Sequence, residues 1–273
     1  MSQRERRGPS GPPGPIRPML ATSGDLPSDD AAWAYEMKWD GLRAIASIAA
    51  GAVTLWSRTG RDITSSYPEL QAMAVAAGSH EVVLDGEIVA FGEAAWPSFE
   101  ALQQRMNLTD ARQVSQRAAE IPVTYLAFDL LVIDGVPLLG RPYQQRRARL
   151  DALGLDGPNW QTPPAFTGVP GSQVRALSRQ HGLEGVMAKR LASRYEAGRR
   201  SSSWRKIKNV RRQEFVVGGW KPGAGSRTDV IGSLLVGVQG QEGLTYAGHV
   251  GTGFSQQALR VLIDRLAPLR RAT

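Results

Sequence analysis

The 273-residue sequence predicts an α+β fold in two parts. Three observations carry that expectation. From Trp33 onward, short apolar or alternating runs of strand length are interleaved with segments of helical period bounded by Ser, Pro and Gly. At 42% hydrophobic residues the chain can bury a full core, and its length suits one large domain with part of another. After the basic pair Arg211-Arg212 the composition changes to glycine-punctuated strands, as at the start of a small β-barrel.

Residues 1–18, MSQRERRGPSGPPGPIRP, have no apolar face to bury and are expected to form a flexible basic arm. WAYEMKW reads as a strand, and RAIASIA with AVTLWSR as a hairpin around an Ala-Gly turn. Tyr67-Pro68 opens a helix expected to run through Ala77 and stop at Gly78. HEVVLDGEIVAF is a strand, and SFEALQQRM a short helix with Ser98 as its N-cap. IPVTYLAFDLLVIDG is a long buried strand or strand pair; YQQRRARLDALG and GSQVRALSRQHG are helices stopped by glycines. GLEGVMAKR and SSSWRKIK are two further strands near one site. EFVVGGW, GSLLVGVQ and LTYAGHVG are the glycine-punctuated strands, followed by a helix from Ser255 to about Leu266.

Lys+Arg number 33 against 25 Asp+Glu, a net charge of +8 that favours a polyanionic partner through phosphate attraction and counterion release. There is no cysteine, hence no disulfide framework and no Cys-ligated zinc. The Arg-, Gly- and Pro-rich start is unlike a signal peptide and no later run is long enough to span a membrane, so a soluble cytosolic protein is expected. Of the 33 basic residues only five are lysines, and four of them fall in short motifs: Lys38, Lys189, Lys206 and Lys208. A guanidinium stays protonated, whereas a desolvated amine can become a nucleophile, so retained lysines mark places where an amine is needed. Codon usage favouring Arg is the competing explanation.

In KWDGLR, strand periodicity places Glu36, Lys38 and Asp40 on one face, two carboxylates flanking one amine, and Gly41 is expected to let the chain turn close to a ligand. An ordinary salt-bridged strand end has the same pattern. The motif does not stand alone. SRTGRD (residues 57–62), LDGEIV with Asp85 and Glu87, AFDLL with Phe128 and Asp129, EGVMAK with Glu184 and Lys189, and WRKIK with Lys206 and Lys208 follow it in order. On these six motifs the chain, from about Met19 to its end, resembles the ATP-dependent DNA ligases, most closely the ligase domain of bacterial end-joining ligase D. Thr59 stands where that family often has Asn.

The resemblance implies a nucleotidyltransferase (ATP-grasp-like, ligase/capping superfamily) adenylation domain over residues 19–210, then a partial OB-fold β-barrel over 211–273. It implies that Lys38, assisted by Asp40, attacks the α-phosphate of ATP and holds AMP. Such an amine must lose its proton, which burial together with Lys206, Lys208 and a metal would favour. By the same resemblance Glu36 reads the adenine, Phe128 stacks on it, and Arg43, Arg58 and Arg200 contact ribose or phosphates, with the 5′-phosphate of a nick as the other candidate ligand of Arg58. Glu87 and Glu184 are the candidates for Mg²⁺ or Mn²⁺, with a ribose contact as the other role for Glu87. Nicked duplex DNA is the implied partner, with end-joining or repair proteins as further candidates, no membrane, and a monomer. The three histidines, His80, His181 and His249, have no metal or triad spacing and read as structural or surface residues.

The family's last basic motif, which grips pyrophosphate, has no counterpart before Thr273. A shortened protein, a fragment and a partner-supplied segment would each account for that, and self-adenylation is the step expected to suffer. An RNA ligase or capping enzyme is the enzymatic alternative, although EGVMAK and SRTGRD favour a DNA ligase. An NAD-dependent ligase is disfavoured by the lack of Cys. A disabled nick-binding protein is the non-enzymatic alternative.

Overall fold

A computed structural model describes residues 15–92, 96–209, 214–223, 230–241, 243–251 and 253–271. The chain divides after Asn209 into two compact units. The first unit is built on two sheets. The smaller has the order β1-β11-β10-β2, from β1 (Leu20–Ser23), β2 (Trp33–Lys38), β10 (Gly185–Arg190) and β11 (Arg200–Lys208). Its pairings are antiparallel except that β1 lies parallel to β11. The larger has the order β4-β3-β5-β6-β9-β8, with β7 paired to β6. Its strands are β3 (Leu42–Ala49), β4 (Ala52–Ser57), β5 (Val82–Ala90), β6 (Val123–Ile133), β7 (Val136–Pro137), β8 (Asp156–Gly157) and β9 (Trp160–Gln161). The helices are α1 (Met73–Ala76), α2 (Phe99–Gln103), α3 (Ala111–Glu120), α4 (Tyr143–Ala152) and α5 (Gly171–Gln180).

Strand alternation sorts the side chains of both sheets. On β3 and β5, Ala44, Ala46, Ile48, Leu84 and Ile88 join Leu70, Met73 and Leu102 in the main core. Tyr35, Val186, Ala188 and Ile207 of the smaller sheet pack with Val174 of α5 in another. The remaining faces, which carry Glu36 and Lys38 on one sheet and Arg43, Asp85 and Glu87 on the other, enclose a third cluster of Met19, Ile45, Phe128, Leu131, Tyr195 and Trp204. Polar residues of the motifs therefore lie on the two sheet faces that meet over this cluster. The turn between β3 and β4 has Ala50 at φ 50° and Gly51 at φ 74°, the two left-handed positions of a tight hairpin.

Two motif glycines owe their identity to packing. A Cβ on Gly41 would lie 2.4 Å from Ile88 O, so the chain presses against β5 there, and this backbone contact by itself requires glycine. A Cβ on Gly86 would lie 2.4 Å from Cζ of Tyr125, whose hydroxyl is held by Ala44 O at 3.1 Å. Gly86→Ala is therefore expected to destabilise the protein by about 1–3 kcal/mol through overpacking. Urea unfolding would measure it, and an unchanged midpoint would mean that Tyr125 has room to move.

The helix expected over 67–77 is instead a 3₁₀ turn, Pro68–Ala72, running into the four-residue α1. Tyr67, Leu70 and Met73 are all buried at three-residue spacing, which suits a 3₁₀ turn, where residues i and i+3 eclipse. α3 is an addition to the expected elements: Ala111, Val114 and Ala118 follow helical spacing, Val114 is its single buried residue, and Asp110 is its N-cap, with the carboxylate accepting from Gln113 N at 2.9 Å. Ser98 caps α2 through Ala101 N, as the sequence indicates. Of the expected arm, residues 1–14 lie outside the described residues, while Ile16 packs on the inter-sheet cluster and Arg17 O accepts from Gly198 N at 2.9 Å.

In the second unit, β12 (Val216–Pro222), β13 (Ile231–Gly240) and β14 (Gly243–Val250) form an antiparallel sheet in that order. α6 (Gln256–Leu266), capped by Ser255, packs on it through Leu259 against Ile231, Leu234 and Val236. Among the described residues this is an open three-stranded sheet with one helix and no closed barrel. Arg211-Arg212 lie outside the described residues.

Candidate active site

Residues paired across a sheet project from the same face. In the smaller sheet Lys38 pairs with Gly185 and that with Lys208; Glu36 pairs with Met187 and that with Lys206; Lys189 pairs with Trp204. One sheet face thus gathers four of the five lysines with Glu36. Facing it, Arg43 and Glu87 are directly paired on β3 and β5. The cleft between is lined by Glu36, Lys38, Arg43, Arg58, Glu87, Phe128, Lys189, Arg200, Trp204 and Lys206. Eight of the eleven residues singled out from sequence are therefore in its wall. Glu184 and Lys208 border it through ion pairs. Asp40 lies beyond the end of β2, exposed, and is not brought into the wall with Glu36 and Lys38, because the strand on which that spacing relied stops at Lys38.

Glu184 joins two lysines: one oxygen is hydrogen-bonded to Lys38 Nζ and the other lies 2.8 Å from Lys208 Nζ. Partial burial pushes the Glu184 carboxyl up, but the two ammonium groups prevail and hold it below the usual range. Arg43 also has an interior partner that the sequence does not indicate. Its Nε and Nη2 both donate to the fully buried Asp85 at 2.6 Å, and its guanidinium lies 4.6 Å from the Phe128 ring centre. That edge of the guanidinium is held by a carboxylate that has no solvent to turn to, while Arg43 remains in the cleft wall. Tyr195 also donates to Asp85, at 2.6 Å. Arg200 is exposed on the rim and donates to Ala21 O, and Arg58 is exposed in the turn after β4.

Phe128 is 8% exposed, at once part of the inter-sheet cluster and of the cleft wall, so a core position and a face on the cleft coexist. Lys189, by contrast, is only 1% exposed. Its Nζ lies 2.7 Å from Glu36 Oε2, 4.3 Å from the Phe128 ring centre and 4.4 Å from that of Trp204. Burial lowers its pKa against the opposing pull of Glu36. The scarcity of lysine and the EGVMAK motif single out Lys189 in the sequence, though neither indicates its contact with Glu36. Tyr143 and Arg147 of α4, which also contact Glu36, have no such sequence signal. The histidines stand apart: His80 pairs with Asp134 at the surface, His181 packs on Trp96, and His249 is exposed on β14.

Burial pushes the Glu87 carboxyl up to about 7, with Arg43 and Lys38 pulling the other way. The folded state therefore holds a proton there that the unfolded chain, near 4.5, has released. The associated stability is present below about pH 4.5 and is lost as pH rises through 7. Thermal melts from pH 4.5 to 7.5 should show this slope, and Glu87→Gln should flatten it. An equal slope in the variant would assign it to another group.

The carboxylates fit a divalent cation of one kind. Mg²⁺ bound to nucleotides takes most of its ligands from phosphate oxygens and water, with one or two carboxylates. Glu87 and Glu184 offer that, whereas among the described residues there is no group of three or more His, Cys, Asp or Glu to form a protein cage.

A family model of the ATP dependent DNA ligase domain matches residues 18–208. The chain belongs to the ATP-dependent DNA ligase family. The model of that family's C-terminal region matches residues 227–273. The chain is 45% identical over 255 residues to the multifunctional non-homologous end joining protein LigD of Mycobacterium bovis, covering 93% of this chain and 32% of that protein. It is 37% identical over 263 residues to DNA ligase C of Mycobacterium tuberculosis, covering 93% of this chain and 71% of that one. A solved structure of mycobacterial DNA ligase D complexed with ATP and MES has 44% identity and a TM-score of 0.65, over 93% of this chain and 78% of that chain. The ligase-family chain thus spans about a third of the length of its LigD relatives. Its first unit has the nucleotidyltransferase fold of the ligase adenylation domains. Among the described residues no helix is long and apolar enough to cross a membrane.

Proposed function

We propose that this chain seals nicks in duplex DNA as an ATP-dependent DNA ligase, acting in repair or end joining through a lysyl-AMP intermediate on Lys38. The observation that carries the reading is the single sheet face that brings Lys38, Glu36 and Lys206 together over Phe128. In the first step the unprotonated Lys38 Nζ attacks the α-phosphorus of ATP. A P–N bond forms, the bond to the β-phosphate oxygen breaks, and pyrophosphate leaves as the amine gives up a proton. Lys38 Nζ is bonded to Glu184 here, so attack requires that contact to open. In the second step an oxygen of the 5′-phosphate at the nick attacks the same phosphorus; the P–N bond breaks and Lys38 recovers a proton. In the third, the 3′-hydroxyl attacks the 5′-phosphorus, loses its proton and expels AMP.

Lys206 on the cleft wall and Lys208 beside it supply compact positive charge to the phosphorus oxygens as negative charge develops. Phe128 offers a flat apolar face to adenine and Glu36 an acceptor to its edge. Arg58 and Arg200, exposed on the rim, suit phosphate oxygens of nucleotide or nick. When bound, Mg²⁺ or Mn²⁺ neutralises phosphate charge, and Glu87 and Glu184 would hold it.

Intact mass before and after incubation with ATP and a divalent cation tests the reading. An AMP adduct that disappears on adding nicked duplex DNA, with a sealed strand as product, is the expected result. Salt-sensitive DNA binding with neither adduct nor sealed strand would overturn it. A nicked RNA duplex run in parallel separates DNA from RNA joining.

A further inference from the structure

Glu36 belongs to the cleft wall beside Phe128, yet its carboxylate is already gripped from the protein interior. Tyr143, the first residue of α4, donates its hydroxyl to Oε1. Lys189 Nζ lies 2.7 Å from Oε2, and Arg147 Nη1 lies 3.8 Å from Oε1. Tyr143 and Lys189 are each 1% exposed and Arg147 is 7% exposed, so water does not compete for these contacts. Burial holds the Tyr143 phenol well above its ordinary pKa, which keeps the hydroxyl a donor.

A carboxylate has lone pairs on two oxygens and no hydrogen to give. With one position on each oxygen taken from inside, the positions left for a ligand can only accept. We propose that Tyr143 and Lys189 are positioning residues that fix Glu36 as an acceptor-only group at the nucleobase edge, so that the site selects a purine with an amino group at C6 over one with a carbonyl there. This rests on the reading of the cleft as an ATP site. Adenine presents N–H to such a group; guanine presents an oxygen, and two acceptors face each other unpaired. Without Lys189, Oε2 loses its interior partner and the carboxylate is free to turn away from the base edge, so the contact that favours an amino group over a carbonyl at C6 weakens. The lysine that pairs with Trp204 across the sheet would therefore control which base is read through its hold on Glu36.

Calorimetric titration of ATP and of GTP into the wild-type chain, Tyr143→Phe and Lys189→Met tests this, with thermal melts as the folding control. The wild type should prefer ATP. Lys189→Met should reduce the ATP-to-GTP affinity ratio at least about tenfold, and Tyr143→Phe about threefold, because one charge-assisted or one neutral hydrogen bond is removed. A general loosening of the cleft would weaken both nucleotides in proportion and leave the ratio unchanged, and that outcome overturns the proposal. Should Lys189→Met fail to fold, Tyr143→Phe decides alone, since it removes a single oxygen and keeps the ring. Equal wild-type affinity for ATP and GTP would sink the inference and leave the ATP site standing. Binding of neither nucleotide would remove the ATP reading and this inference together.

Discussion

Lys38→Arg is expected to eliminate the AMP adduct and the sealing of ordinary nicks, while leaving the fold and DNA binding close to wild type. The guanidinium keeps the positive charge and can still reach Glu184, so the ion pair at the end of β2 survives in some form. What it lacks is a lone pair that can be freed near neutral pH, and without one no P–N bond forms. Lys208→Arg is the informative control. Lys208 shares Glu184 with Lys38 and acts through charge alone, so its variant should still form the adduct, at a reduced rate. A second control follows from the chemistry. A nick already carrying AMP on its 5′-phosphate needs no lysine nucleophile, and Lys38→Arg should still join it. An AMP adduct on Lys38→Arg would assign the nucleophile elsewhere. Failure on the pre-adenylated nick would mean that Lys38 also serves the last step.

Much of this site was legible because its chemistry needs residue types that the rest of the chain avoids. Five lysines among 33 basic residues singled out the sheet face on which four of them meet. Strands were readable where both faces are committed, as in β5 and β6, whose apolar runs leave little ambiguity. What could not be read lies in partners distant in sequence. Nothing near Arg43 announces that Asp85, 42 residues later, takes two of its donors. Nothing near Glu36 announces Tyr143, 107 residues away. α3, whose apolar residues Ala111, Val114 and Ala118 do keep helical spacing behind the Asp110 cap, was readable and was missed, whereas β1 escaped because four residues that pair in parallel with a strand near the far end of the unit have no local signature. Asp40 shows the opposite error: a period-two argument extended one step past the last residue of the strand.

Asp129→Ala is expected to be among the most destabilising substitutions in the first unit. Asp129 on β6 and Arg146 on α4 are both fully buried and form a forked pair, with Nε and Nη2 each 2.8 Å from a carboxylate oxygen. Burial pushes the Asp129 carboxyl up while Arg146 pulls it back. Removing one partner strands a guanidinium in the interior with the carbonyls of Arg141 and Ser193 and the rings of Tyr143 and Tyr195, none of which carries a compensating charge. Breaking such a pair costs about 3–5 kcal/mol, which lowers Tm by roughly 6–20 °C for a domain of this size. Asp129→Leu combined with Arg146→Met should recover most of that loss, because the pair's own attraction is largely offset by the cost of burying it. The function of the pair is then geometric. Arg146 sits between Tyr143 and Arg147 on α4, and those two grip Glu36. If the pair sets the register of α4 on β6, Asp129→Ala should weaken ATP binding at temperatures where the variant is still folded. Gly86→Ala, which strains the far face of the larger sheet, should lose stability with a smaller loss of affinity. Equal losses of affinity at matched stability would mean that the cleft responds to general loosening, and that α4 has no privileged hold on it.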